Sequence, residues 1–214
     1  MRLPPFSAKG RPRSKSFSSN RPPFTSPLLH PLHPRPRSDR VALRVADALA
    51  LPFPAASFDL VWSLESGEHM PDKAAFVSEL ARVAAPGGRV VVVTWCHREL
   101  AAGEAALRPD ERALLDAICA AYYLPAWCAA SEYERLFAAE GLTGVRAADW
   151  SAEVAPFWGA VIRSALTPRG LAGLLKAGWE TARGAAVMPL MATGLKRGTI
   201  RFALVTGVRP GAQE

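Results

Sequence analysis

The most constraining feature of this 214-residue sequence is the order of apolar and polar runs between residues 44 and 95. The pattern predicts a strand before Asp47, a strand at 58–62, an amphipathic helix at 72–83 and a strand at 90–95 after a Gly-Gly pair. Strands that alternate with a helix in this way are typical of a parallel α/β sheet. Gly10 is the only glycine before Val41, so we expect an α/β sheet without its N-terminal, glycine-rich half.

The net charge of +7 is concentrated at one end of the chain. Residues 1–40 hold nine Arg and Lys against one acid, whereas the remaining 174 residues carry 17 basic and 18 acidic residues. Averaged over that body the charge is near zero, and we therefore expect no nucleic-acid partner. No run approaches the roughly 18 apolar residues of a membrane span, so no span is predicted.

Two regions are predicted: a leader at 1–40 and a partial domain at 41–210. The leader is rich in Pro, Arg and Ser and has no acid before residue 39, so it is predicted to be disordered because it cannot bury enough apolar surface. An organelle transit peptide has the same composition. Sequence from a wrong start or exon choice is an equally good interpretation, and both remain open.

Three cysteines, Cys96, Cys119 and Cys128, are too few and too widely spaced for a metal site or a disulfide framework. They are predicted to be free thiols, and no metal ligand is expected.

Ligands of parallel α/β sheets lie at the carboxyl ends of the strands, which directs attention to the residues after each apolar run. Asp47, followed by Ala48 and Leu49, stands after the first predicted strand. A short carboxylate there can accept an N–H from an adenine amino group while neighbouring backbone groups meet the ring. An Asp that merely stabilises a turn explains the same residue equally well.

The second predicted strand ends in a polar stretch that holds Glu65, Glu68 and His69. Two carboxylates beside an imidazole can take a proton from a phenol or an amine. The competing interpretation is that Glu68 and His69 only tune the start of the helix near Asp72. Gly67 lets the backbone approach a ligand closely.

Aromatic residues concentrate after the third strand and in two later segments. The functional interpretation is a lid over an apolar, ring-bearing substrate, and the alternative is a satellite hydrophobic cluster under a loop. The lid is the favoured prediction for the two later segments, and its substrate-contacting side chains are Tyr123, Trp127 and Trp158. Trp95, at the end of the third strand, is a further candidate for substrate contact, with core packing as the alternative.

Several of these segments resemble class I methyltransferases that use S-adenosyl-L-methionine. The general resemblance lies in 46–48, 51–54, 58–62 and 80–88. A sharper resemblance, to plant tocopherol methyltransferases, lies in ESGEHMPDK at 65–73, VTWCHR at 93–98, AYYLPAWC at 121–128, and in 149–164. The likeness extends over about residues 43–208.

The resemblance implies a Rossmann-like class I methyltransferase sheet, N-terminally truncated, with helical lid insertions. It implies S-adenosyl-L-methionine as cofactor and methylation of the chromanol ring of γ- or δ-tocopherol, a small lipophilic phenol, in the chloroplast. His69 is then the expected base, oriented by Glu65 or Glu68. The cofactor side would be formed by Asp47, Ala48, Leu49, Trp62 and Ser63.

The same resemblance leaves alternatives open. An alkaloid N-methyltransferase would reuse the fold with an amine acceptor, and a truncated product without catalysis would keep the family's sequence without its activity. Without the preceding strands, apolar sheet edges are expected to be exposed. Helices within 166–196 suit packing or contact with a membrane surface. The oligomeric state is not predicted.

Overall fold

The computed structural model describes residues 41–211, and its compact unit begins at Val45. Four strands form one mixed sheet in the order β1-β2-β4-β3: β1 Phe58–Leu64, β2 Ala84–His97, β3 Thr143–Asp149 and β4 Ile200–Val208. Strands β1 and β2 are parallel, and β4 runs antiparallel between β2 and β3. The predicted strands at 58–62 and 90–95 are confirmed.

Among residues 41–211, six helices accompany the sheet: α1 Lys73–Val83, α2 Pro109–Tyr122, α3 Ala130–Ala139, α4 Ser151–Ala165, α5 Pro168–Ala177 and α6 Trp179–Arg197. Helix α1 begins where predicted, because the Asp72 carboxylate accepts the Ala75 backbone N–H at 2.9 Å. Thr167 caps α5 in the same way. A 3₁₀ turn at Gly67–His69 joins β1 to α1.

The sheet is covered on both faces around β2. Val90 and Val92 pack with α1 and α3 in one hydrophobic cluster, whereas Val93 and Trp95 pack with α2 and α6 in another. Successive side chains of a strand point to opposite faces, so both faces of β2 need apolar residues. This requirement explains the uninterrupted valine run at 90–93.

The strand predicted before Asp47 is absent. Residues 41–46 are exposed and form no strand, and Asp47 bridges only to Ala50 while its carboxylate accepts the Leu49 N–H at 2.9 Å. A strand is stable only beside a partner, and within residues 41–211 nothing pairs with the outer edge of β1. Asp47 thus stabilises a turn, and its contact with an adenine stays a prediction.

The Gly-Gly pair also differs from expectation, since it lies inside β2 rather than before it. Gly87 donates its N–H to the Arg209 carbonyl at 2.8 Å, and Arg209 donates to the Gly88 carbonyl at 2.9 Å. Gly87 has φ +78°, which a residue with a side chain rarely adopts. The pair forms an irregular start of the strand, and the β1–β2 register breaks opposite it.

Strand β1 presents an apolar surface to solvent. Leu60 and Trp62 are 55% and 64% exposed, on the same sheet face as Val91 of β2. The expectation of an exposed apolar edge is confirmed for the described residues.

The leader at 1–40 lies outside the described residues, so its predicted disorder and its role as a transit peptide stay predictions. All three cysteines are free thiols, as expected. Between residues 41 and 211 no three His, Cys, Asp or Glu side chains gather in a way that would hold a metal ion. Over the same range, no helix has the length and apolar character needed to cross a membrane.

Candidate active site

A cavity of about 600 Å³ lies beyond the carboxyl ends of β1 and β2. This volume is typical of sites for small organic ligands. The apolar lining comes from β1, β2, β4, the helices α2, α4 and α6, and the loop after α2. Its residues are Leu64, Trp95, Ile118, Tyr122, Leu124, Trp127, Trp150, Val154, Phe157, Trp158, Met191 and Phe202. The polar lining is Glu65, Glu68, His69 and Glu153.

Aromatic rings form a continuous wall around Trp95. Its ring stacks on Trp127 with centroids 6.4 Å apart, and lies 5.8 Å from Trp158 and 4.5 Å from Phe202. The loop after α2 is fixed beside β2 because His97 donates its backbone N–H to the Cys128 carbonyl at 3.1 Å. That hydrogen bond holds the loop where Trp127 stacks on Trp95 at the cavity.

Glu68 is buried and held from the sheet. The Thr94 hydroxyl, on β2, donates to Glu68 Oε2 at 2.7 Å. Both residues are almost inaccessible to solvent: Thr94 is 0% exposed and Glu68 is 3% exposed. A buried carboxylate needs such a donor, because an unpaired one is costly to desolvate.

His69 and Glu65 complete the polar part of the cavity. His69 Nε2 lies 4.0 Å from Glu68 Oε1, within ion-pair range when the imidazole is protonated. Burial raises the pKa of Glu65, the Glu68 charge raises it further, and His69 opposes the shift. Glu65 has φ +50°, an unfavourable conformation for a residue with a side chain, at the point where β1 ends.

Six of the predicted site residues line this one cavity: Glu65, Glu68, His69, Trp95, Trp127 and Trp158. Tyr123 does not line this cavity, and its contact with a substrate stays a prediction. It ends α2 in a left-handed conformation, is 72% exposed, and stacks under the Arg183 guanidinium at 4.4 Å. Tyr122 lines the cavity instead, with its hydroxyl donating to the Gly184 carbonyl at 2.8 Å.

None of the predicted cofactor-side residues lines the cavity. Asp47 is exposed in its turn, whereas Ala48 and Leu49 pack against the cluster under α1. Trp62 is exposed on β1, and the neighbouring Ser63 hydroxyl is buried without a hydrogen-bond partner among the described residues.

Several cavity residues of the helices were missed by sequence reasoning, among them one on α2 and one on α6. Ile118 of α2 and Met191 of α6 were indistinguishable from ordinary core residues, although both face the cavity. The spacing of Ile118 and Tyr122, four residues apart, indicated a shared helix face but not what that face covers.

Comparison with known proteins agrees with this geometry. Residues 29–92 match the family model described as a methyltransferase domain. The chain is 60% identical over 173 residues to a probable chloroplastic tocopherol O-methyltransferase of Oryza sativa subsp. japonica, covering 81% of this chain and 48% of that protein. It is 56% identical over 171 residues to the chloroplastic tocopherol O-methyltransferase of Arabidopsis thaliana, covering 80% and 49%.

A norajmaline N-methyltransferase of Rauvolfia serpentina is more distant, at 32% identity over 169 residues, covering 78% of this chain and 58% of that protein. The chain spans about half the length of the tocopherol O-methyltransferases that it matches.

Solved structures show the same fold at low identity. A crystal structure from Galdieria sulphuraria, named as a sarcosine dimethylglycine methyltransferase, superposes on this chain with a TM-score of 0.63 at 18% identity. The match covers 81% of this chain and 61% of that one. Geranyl diphosphate C-methyltransferase of Streptomyces coelicolor A3(2), solved with S-adenosyl-L-homocysteine, gives 0.59 at 20%, covering 78% and 50%. The expected α/β fold of class I methyltransferases is confirmed, and the chain is similar in sequence to the tocopherol O-methyltransferases over about half of their length.

Proposed function

We propose that this protein is an S-adenosyl-L-methionine-dependent methyltransferase that acts in the chloroplast on a tocopherol-type phenol. The reaction would place a methyl group on the ring carbon ortho to the hydroxyl of γ- or δ-tocopherol. One observation carries the proposal: proton-accepting side chains and a wall of tryptophan rings line the same cavity.

The aromatic wall suits the acceptor ring. A ring that enters beside Trp95, Trp127 and Trp158 is contacted by flat apolar surfaces and loses its hydration. The cavity volume of about 600 Å³ accommodates a bicyclic ring with part of its tail. The wall thus supports orientation of the ring, which contributes to catalysis by holding the reacting carbon in place.

The polar residues suit the removal of the phenolic proton. His69 takes the proton, and the electron pair of the O–H bond stays on oxygen and enriches the ortho carbon. Glu68, 4.0 Å from His69 Nε2, stabilises the resulting imidazolium. Thr94 keeps the Glu68 carboxylate in position. Glu65, with its raised pKa, adds a second proton-exchanging group at the cavity.

The donor chemistry of the described residues fits the adenine end of S-adenosyl-L-methionine. The turn at Asp47 uses one carboxylate oxygen for the Leu49 N–H, so the other oxygen is available to an adenine amino group. The unpartnered Ser63 hydroxyl and the exposed Trp62 ring lie on β1. Residues 41–211 form no glycine-rich turn for the remainder of the group. When bound, the cofactor supplies an electrophilic methyl group.

Two other functions make different predictions. An N-methyltransferase acting on an alkaloid would use the same proton acceptors on an amine, and the lower identity to the Rauvolfia protein favours the phenol. A product without catalysis would bind neither cofactor nor acceptor.

A labelled-methyl assay with the whole chain tests the proposal. Transfer of label from S-adenosyl-L-methionine to γ-tocopherol, and not to ajmaline-type amines, is expected. His69→Asn should lower kcat by about a hundredfold or more, whereas Glu140→Gln, an exposed carboxylate outside the cavity, should leave it unchanged. Transfer to the amine alone would establish the N-methyltransferase, and absence of calorimetric cofactor binding would establish the product without catalysis.

A further inference from the structure

We infer that the outer surface of α4 and α5 docks on an anionic lipid bilayer. Helix α5 packs on α4 and α6, and its described side chains are largely exposed. Among them and in the preceding turn, Leu171 and Leu166 are 47% and 67% exposed. Phe157 of α4 is 59% exposed. Large apolar side chains held in water on neighbouring helices indicate a surface that another apolar phase covers.

The positive charge of this region indicates that the apolar phase covering it is an anionic one. Residues 151–198 contain six Arg and Lys against two acids, whereas the rest of residues 41–214 contains 11 basic and 16 acidic residues. The near-zero average of the body therefore hides a basic helical region. Arg163, Arg169 and Lys176 are exposed, and within the part of the chain that the structure describes they make no ion pair.

Exposed leucines suit the apolar acyl chains of an anionic bilayer, and the basic side chains around them suit its phosphate headgroups. The leucines enter the boundary between headgroups and acyl chains, and the long cationic side chains reach the phosphate level. Each Lys or Arg near such a surface adds electrostatic attraction.

Helix α4 contributes residues both to the docking surface and to the cavity lining. Phe157 is exposed and also lines the cavity, together with Trp150 and Trp158 of the same region. A lipophilic acceptor held in the bilayer would therefore enter past α4 without crossing water. This part of the inference rests on the proposed function, whereas docking itself does not.

Vesicle flotation of the whole chain tests the docking. Binding to phosphatidylcholine vesicles that contain phosphatidylglycerol is compared among variants, so that the basic leader contributes equally to each. Leu166→Ser combined with Leu171→Ser should weaken binding about tenfold or more, whereas Leu60→Ser, an exposed leucine of β1, should not. Arg169→Gln should weaken it about fivefold, and Arg89→Gln, an exposed arginine of β2, should not.

Hydrogen exchange with and without vesicles locates the contact. Protection of α4 and α5 at about 1 M salt, where the Debye length falls to about 3 Å, is expected because the apolar contact is not screened. Three results would overturn the inference: protection confined to β1, equal loss of binding in the Leu166/Leu171 double variant and the Leu60 variant, or protection of α5 by a second copy of the chain without lipid. None of these readouts requires cofactor or turnover. Docking can therefore fail while the methyl-transfer assay succeeds, and the methyl-transfer assay can fail while docking succeeds.

Discussion

Gly67 is the residue whose small size most directly shapes the candidate site. A Cβ added there would lie 2.7 Å from the Tyr133 hydroxyl oxygen and 2.9 Å from Thr94 Oγ1, both closer than real contacts. Gly67→Ala should therefore lower the free energy of unfolding by about 1–3 kcal/mol. Urea denaturation measures the change, with Gly173→Ala as control because a Cβ there meets open space on a helix. Equal stability of the two variants would show that the turn has room to adjust.

Thr94 offers a second test at the residue scale. Thr94→Val keeps the shape but removes the hydroxyl that donates to buried Glu68. The free energy of unfolding should fall by about 1–3 kcal/mol, because the carboxylate loses a donor without regaining water. Thr94→Ser retains the donor and should stay within about 1 kcal/mol of the parent. A Val variant as stable as the Ser variant would mean that Glu68 does not depend on this hydrogen bond.

The site residues were predictable where a positional rule applied. Glu65, Glu68 and His69 follow a strand that belongs to a parallel pair, so the sheet alone brings them to the cavity. Tyr123 shows where such reasoning ends. Tyr122 and Tyr123 are adjacent and chemically alike, and the left-handed end of α2 decides which one faces inward. That conformation depends on packing of the following loop, which no local pattern specifies.

At the scale of elements, the start of α2 is fixed by charged hydrogen bonds. Arg98, beyond β2, donates to both carboxylate oxygens of buried Glu111 at 2.7 Å, and these bonds hold the Glu111 pKa down at about 2. The folded-state pKa is thus below its ordinary value of 4.5, so the stabilisation is present above pH 4.5 and is lost as the pH falls towards 2.

Glu111→Gln should reveal this contribution. At neutral pH the variant should be less stable by about 2 kcal/mol, because a hydrogen bond to a charged group becomes a neutral one. The difference in the free energy of unfolding between variant and parent should shrink steadily as the pH falls from 4.5 towards 2. Chemical denaturation at each pH measures this difference. Glu140→Gln, on an exposed carboxylate, serves as the control. A difference that does not change with pH would assign the effect to packing.

The elements themselves were predicted unequally well. Val90–Val93, a run buried on both faces, identified β2, and the Asp72 cap identified the start of α1. The strand before Asp47 failed because strand formation depends on a neighbour, and the apolar residues at 41–46 have none among the described residues. Its sequence carries strand propensity, but propensity does not supply backbone hydrogen-bond partners.

At the scale of the whole molecule, the open side of β1 should control solubility. Leu60 and Trp62 are exposed beside an edge without a paired strand in residues 41–211, a combination that favours association. Leu60→Thr with Trp62→Thr should keep the protein monomeric at higher concentration, seen by light scattering. Stability should change by no more than about 0.5 kcal/mol per site, as for other exposed positions. Unchanged association would place the sticky surface elsewhere.

Tryptophan fluorescence shows whether the cavity beyond β1 and β2 receives a phenolic ring. A short-chain chromanol, which carries the tocopherol ring without its long tail, is titrated into the whole chain. Saturable quenching is expected because Trp95, Trp127 and Trp158 line the cavity. The methyl ether of the same ring should bind about tenfold more weakly, since it offers no proton to Glu68 and His69. Absence of saturable quenching, or equal binding of the ether, would show that the cavity is not a phenol site.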